Sequence, residues 1–160
     1  MTKTHTTPAT AADPTVAAAA AQFLSPVVIG LQALAVNGKQ AHWNVRGANF
    51  IAIHELLDSV VDHAQDGADA AAERIVALGL PVDARVATVA SKTTTAVGGG
   101  FTQWEDMIRA VIADMDPVIA DVQAAIDGLD EIDLASQDIA LAIKESLEKD
   151  RWFLFAHLAE

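Results

Sequence analysis

A chain of 160 residues that is 52% hydrophobic, with 9 Gly and 5 Pro, holds enough apolar material for one well-buried domain and is too short for two. Its net charge of −12 has the wrong sign for neutralising phosphates, which speaks against nucleic acid as a partner. The absence of cysteine excludes disulfides, a thiolate nucleophile and a zinc-thiolate site, and suits a reducing cytoplasm.

Residues 1–13 carry a single basic residue, Lys3, among Thr and Ala and read as a flexible tail, which leaves 14–160 as the domain. Asp13-Pro14 has the form of a helix N-cap with a first-turn proline, so Ala17 to Leu24 reads as helix and not as the core of an export signal. No apolar run approaches the ~20 residues needed to cross a bilayer. The first helix is expected from about 14 to 45, kinked or restarted at Ser25-Pro26 and stopped by Asn44-Val45-Arg46-Gly47. Asn49 is the expected cap of a second helix reaching about Leu78, with Gly79 and Pro81 just beyond. A long connection from Leu80 to Gly100 follows, with a short helix expected over Asp83 to Ser91 and a breaker at Gly98-Gly99-Gly100. Thr102-x-x-Glu105 has the form of a capping box that opens a third helix to about Ile126, which Pro117 should kink. After an acidic turn from Asp127 to Asp133, a fourth helix runs almost to Glu160. The Ala-rich composition without Tyr supports this all-α reading. Four such helices, with a long crossover carrying a short extra helix between the second and third, form a ferritin-like four-helix bundle.

Five potential metal ligands stand at telling positions: His42 near the end of the first helix, then His54, Asp58, Asp69 and Glu73 on the second. At about 100° per residue, and with His54 as zero, Asp58 falls near +40°, Asp69 near +60° and Glu73 near +100°. The apolar residues Ile53, Leu57, Ala64, Ala68, Ala71 and Ile75 gather instead between roughly −100° and −40°, the face that enters the bundle core. The ligand stripe therefore runs beside the core stripe. His54 and Glu73 are separated by about 28 Å of helix rise, too far for one ion. An antiparallel copy from a two-fold-related subunit would place Asp69 and Glu73 opposite His54 and Asp58, making an interface site. Two imidazoles with three carboxylates suit iron or another divalent first-row metal.

The segment Lys39-Gln40-Ala41-His42-Trp43-Asn44-Val45-Arg46-Gly47, then Asn49-Phe50 and His54-Glu55-Leu56-Leu57-Asp58, resembles the signature of the Dps family, the DNA-binding proteins from starved cells, which are mini-ferritins. The resemblance extends over about residues 15 to 160, including Asp150-Arg151-Trp152-Phe153. It implies a dodecameric shell that oxidises ferrous iron, preferably with hydrogen peroxide, at ferroxidase centres bridging two-fold-related subunits. Ferric mineral would be stored inside, protecting the cell from oxidative damage. Carried over residue by residue, His42, His54 and Asp58 come from one chain and Asp69 and Glu73 from its partner. The chain has no Glu-x-x-His, the motif of ferritin sites built inside a single bundle.

Other residues have two readings. Trp43 is either an electron donor that intercepts stray oxidising equivalents or an aromatic buried at a subunit contact. Glu55 is a candidate for seeding mineral; Asp62 and Asp66 either share that role or belong to a solvated helix face. His63, like His5 and His157, reads as an ordinary surface or interface histidine. Asp127, Asp130, Glu131, Asp133 and Asp138 either line a three-fold pore that draws cations inward or serve as capping groups. Family members that bind DNA use Lys- or Arg-rich tails, and the single Lys3 departs from that pattern, so DNA binding is expected to be weak or absent. The alternatives are a metal-dependent hydrolase side activity at the same interface site and a nucleoid-packing protein with a structural metal site. The expected location is the cytoplasm, or the nucleoid within it.

Overall fold

In the computed structural model, which describes Thr10 and residues 12–159, helix α1 spans Pro14–Asn44. Asp13 caps it, accepting the Thr15 N–H at 2.8 Å. The restart considered at Ser25-Pro26 does not occur, since α1 is continuous through Pro26. Pro26 lacks only the one N–H that would have met the carbonyl a turn earlier, and Ser25 Oγ donates to the Ala21 carbonyl at 2.5 Å. Contrary to the expectation from run length, α1 carries a window long and apolar enough to cross a membrane, half of it buried inside the bundle. The tail expected over residues 1–13 falls mostly outside the described residues. Of those described, Thr10 lies against Gly79 and accepts the Ala12 N–H at 3.1 Å.

A two-residue strand β1, Val45–Arg46, separates α1 from α2, Phe50–Ala77. The turn between them needs Gly47: its φ is +118°, and a Cβ there would sit 2.7 Å from the Trp104 ring. Asn49 stands at the N-cap of α2 but makes no side-chain capping bond. The apolar stripe read from the sequence is the buried face, with Ile53, Leu57, Ala64, Ala68, Ala71 and Ile75 all buried. Gly79, at φ +89°, closes the C-terminal end.

The crossover carries α3, Val86–Lys92, which starts three residues later than expected. The delay has a local cause: Asp83 is bound by the Arg85 guanidinium at 2.8 and 2.9 Å and by Thr88 Oγ1 at 2.9 Å, so it organises the entry from outside the helix. Further on, buried Asp114 anchors the strap, accepting Thr95 Oγ1 at 2.5 Å and the Ala96 N–H at 2.6 Å. The expected capping box does not form. Thr102 lies in strand β2, Thr102–Gln103, and its Oγ1 turns back to the Gly100 carbonyl at 3.2 Å. Parallel pairing of Val45 with Thr102 and Arg46 with Gln103 keeps this backbone extended, so helix α4 starts at Trp104. That helix runs through Pro117 and Asp127 to Leu129, past the expected end at Ile126, and the acidic turn shrinks to 130–133. Helix α5 spans Leu134–Ala156 and ends a few residues short of expectation.

Helix α1 packs on α2 and α4, and α5 closes the square against the same two helices. The diagonal pairs scarcely touch. Leu24, Leu31, Ile53, Leu57, Met107, Met115, Leu129 and Leu147 fill the centre. At about 25 cal/mol per Å² of apolar area, a core of this kind is the dominant stabilising term, and it fixes the outward stripe of α2 as a rigid platform.

Candidate metal centre

His42 and His54 lock each other. His42 Nδ1 lies 2.8 Å from the His54 carbonyl and His54 Nδ1 lies 2.9 Å from the His42 carbonyl. The rings stack with centroids 3.6 Å apart and 24° between planes. A carbonyl can only accept, so both Nδ1 atoms carry the proton and both Nε2 lone pairs are left for a ligand. This is the outer-shell hydrogen bonding that sets the tautomer and ring orientation of metal-bound histidines. The reciprocity follows from the chain path: α1 ends just beyond His42, the chain turns back through Gly47, and α2 brings His54 alongside.

One turn further along α2, Asp58 joins them, its Oδ1 lying 3.1 Å from His42 Nδ1. The same oxygen accepts from Lys39 Nζ, and the ammonium holds the Asp58 carboxyl below its ordinary value. His42 is buried, while His54 and Asp58 are half-exposed, so the histidine pair presents a ready-made edge at the surface.

Asp69 and Glu73 are exposed farther along the same helix. From Asp58 they are about 16 and 22 Å away by helix rise. Three of the five expected ligands are thus gathered and two are not. Among the described residues, no set of three His, Asp or Glu side chains converges to hold a metal ion. Trp43, beside His42, is 64% exposed, and Glu55, Asp62 and Asp66 are exposed on α2.

His63 is exposed, as a surface histidine is expected to be, but it has a specific partner. Its Nδ1 meets Asp150 Oδ2 at 2.8 Å, and Asp150 is only 2% exposed. Burial pushes the Asp150 carboxyl up, and His63 offsets part of that cost. His63 is therefore a partner of a buried carboxylate, bridging α2 and α5. In the acidic group, Asp133 accepts from Arg74 Nη2 at 2.7 Å and from Ser136 Oγ at 2.5 Å. Burial raises its carboxyl, but Ser136 and Arg74 outweigh that and hold it below the ordinary range. Asp127 and Asp130 accept from Gln123 and Gln137 at 2.7 and 3.3 Å, Asp138 is exposed, and Glu131 takes φ 58° in the turn. Sequence reasoning assigned no role to Lys39; its place three residues before His42, close to the same helix face, is the signal that could have found it.

Residues 30–160 match the ferritin-like domain family. The "DNA protection during starvation protein" of Mycolicibacterium smegmatis is 38% identical over 125 residues, covering 75% of this chain and 66% of the relative. The chain therefore spans just under two thirds of that relative's length. The protein of the same name from Agrobacterium fabrum is 38% identical over 129 residues, covering 79% of this chain and 80% of the relative. Among solved structures, Dps from Microbacterium arborescens in the high iron form superposes with a TM-score of 0.93 at 72% identity, covering 94% of this chain and 99% of that one.

Proposed function

Since this chain belongs to the Dps mini-ferritins of the ferritin-like family, a family of iron-storage and DNA-protection proteins, we propose that it oxidises ferrous iron at sites shared between two-fold-related copies. His42, His54 and Asp58 of one copy face Asp69 and Glu73 of the other, and twelve copies enclose the ferric mineral. The observation that carries this reading is the reciprocal histidine lock, which leaves both Nε2 lone pairs without a partner among the described residues, with Asp58 near His42 on its Nδ1 side, and stops short of a complete site. Iron is the substrate, and hydrogen peroxide is the preferred oxidant. Two ferrous ions each give one electron to one peroxide, which takes up two protons and leaves as two waters. A lone ion delivers one electron and releases hydroxyl radical, so pairing is what protects. The carboxylates favour the ferric product by charge, and neutral imidazoles complete an N/O set suited to iron. Trp43 stands beside the site to surrender an electron to stray oxidant. Glu55 and Asp62 seed mineral. Asp127, Asp130, Glu131 and Asp138 lead cations inward, with Asp133 contributing less because Arg74 and Ser136 already hold it.

The test is direct. Apoprotein mixed with ferrous iron and peroxide should give ferric absorbance faster than protein-free buffer, with two ferrous ions consumed per peroxide. A rate equal to buffer alone would remove the reading. DNA protection on this account comes from removing iron and peroxide. A chain with net charge −12 lacks the cations that displace counterions from phosphate. Plasmid DNA at moderate salt without Mg²⁺ should therefore migrate unshifted beside the assembled protein, and retention in the well would contradict this.

A further inference from the structure

A second histidine on α2 is held by a carboxylate, on another side of the helix from the interface centre. His63 follows His54 by nine residues, which is about 14 Å of rise and about 180° of turn. Its Nδ1 lies 2.8 Å from Asp150 Oδ2, and Asp150 is only 2% exposed. With Asp150 ionised, Nδ1 carries the proton, and Nε2 is left without a partner among the described residues. His63 lines an open groove of about 360 Å³ between α2 and α5. Gly67 and Ala70 in its wall are small and leave it room, while Asp66 and Asp138, both exposed, make it negative. Asp66 stands three residues after His63, so the two side chains are surface neighbours with Cβ atoms about 5–6 Å apart.

We propose that His63 Nε2 and Asp66 form a divalent-metal site of their own on the α2–α5 face, with buried Asp150 fixing the imidazole through Nδ1. A buried ion pair does little for stability that a packed apolar side chain would not do. What the carboxylate supplies and a leucine would not is a fixed tautomer and ring orientation, the arrangement found behind metal-bound histidines. One imidazole nitrogen and one carboxylate oxygen suit a divalent first-row ion, a class that includes zinc and ferrous iron. Water fills the other positions, so the ion is held in the open and exchanges readily. All three residues belong to one chain. The site therefore stands whether or not the interface centre does. Asp150 is a positioning residue: it aims the ligand without touching the ion.

Zinc, which is redox-inert, separates binding from oxidation. Wild-type crystals soaked in zinc should show an anomalous peak about 2.0–2.1 Å from His63 Nε2. In equilibrium dialysis, assembled His54→Ala protein, which lacks an interface ligand, should still retain zinc. Adding His63→Gln or Asp66→Asn should remove that zinc, and Asp66→Asn is a surface change that strands no buried group. Adding Asp150→Asn leaves an acceptor for Nδ1 but takes away the charge. It should loosen the zinc about tenfold, the low end for an outer-shell partner, which a merely structural role would not do. If no peak stands at Nε2, or if the Asp66→Asn protein retains zinc as its His54→Ala parent does, the site is overturned. If the peak is present and Asp150→Asn binds zinc as tightly as the parent, the positioning role of Asp150 is overturned.

Discussion

The two ends of α2 carry the same class of side chain under opposite constraint. At the first end, His54 and Asp58 are held by α1: one by a carbonyl and a stacked ring, the other by Lys39. At the second end, Asp69 and Glu73 extend from the helix as exposed side chains. The backbone is not looser there, because Arg74, next to Glu73, is tied to Asp133 and Ser136 at 2.7 and 3.0 Å. On the proposed reading of a shared site, the held imidazoles would set the geometry, and Asp69 and Glu73, which have no hydrogen-bond partner among the described residues, would adjust to the ion.

The largest expected effect tests whether the two ends belong to one site. His54→Ala and Glu73→Ala should each abolish rapid peroxide-dependent iron oxidation, a loss greater than the roughly 10–100-fold that removing an outer-shell partner costs. Both should still assemble, because neither residue is part of the buried face. An equal mixture, disassembled and randomly reassembled, should recover about a quarter of wild-type sites: half the pairs are mixed, and in each of those one site keeps all its ligands. No recovery, with co-assembly confirmed by native mass measurement, would place each ligand set within one chain and break the comparison.

The next effect tests the rigidity of the second end. Asp133→Ala strands the Arg74 guanidinium and buried Ser136, and should cost about 2 kcal/mol in urea unfolding at fixed protein concentration. The sign of the pH dependence follows from a carboxyl held below its unfolded value of 3.8. Its contribution is complete above that value and is lost as pH falls through the lower folded-state pKa. Asp133→Asn should therefore flatten the acid limb of the stability profile. An acid limb as steep as the wild type's would mean that other carboxylates carry it.

The bundle, the long crossover and the buried stripe of α2 were readable from sequence because a 3.6-residue period repeated over 28 residues averages out local irregularity. The position of the candidate ligands was readable as spacing, since residues that lie off the core stripe and on one side of it share an outward face. What the pattern could not carry were contacts between distant segments. Thr102-x-x-Glu105 satisfies the local rule for a cap, yet Val45 and Arg46, more than fifty residues earlier, hold that backbone extended. His63 and Asp150 are eighty-seven residues apart, and nothing in either neighbourhood announces their bond. The histidine lock escaped for another reason: its acceptors are main-chain carbonyls, which every residue has.

The smallest effect separates two ways of holding a helix start. Asp13 and Asn49 occupy equivalent N-cap positions, but only Asp13 accepts a backbone N–H, from Thr15 at 2.8 Å. Asp13→Ala should therefore lower the urea midpoint measurably, because it removes a bonded cap. Asn49→Ala removes no side-chain capping bond and should change stability by no more than a few tenths of a kcal/mol. If the first end of α2 is instead fixed by the exchange between His42 and His54, zinc affinity in Asn49→Ala should also match the wild type. A drop in both stability and zinc affinity would show that Asn49 holds the helix start in solution, and that the rigidity of the first end is borrowed from its cap and not supplied by α1.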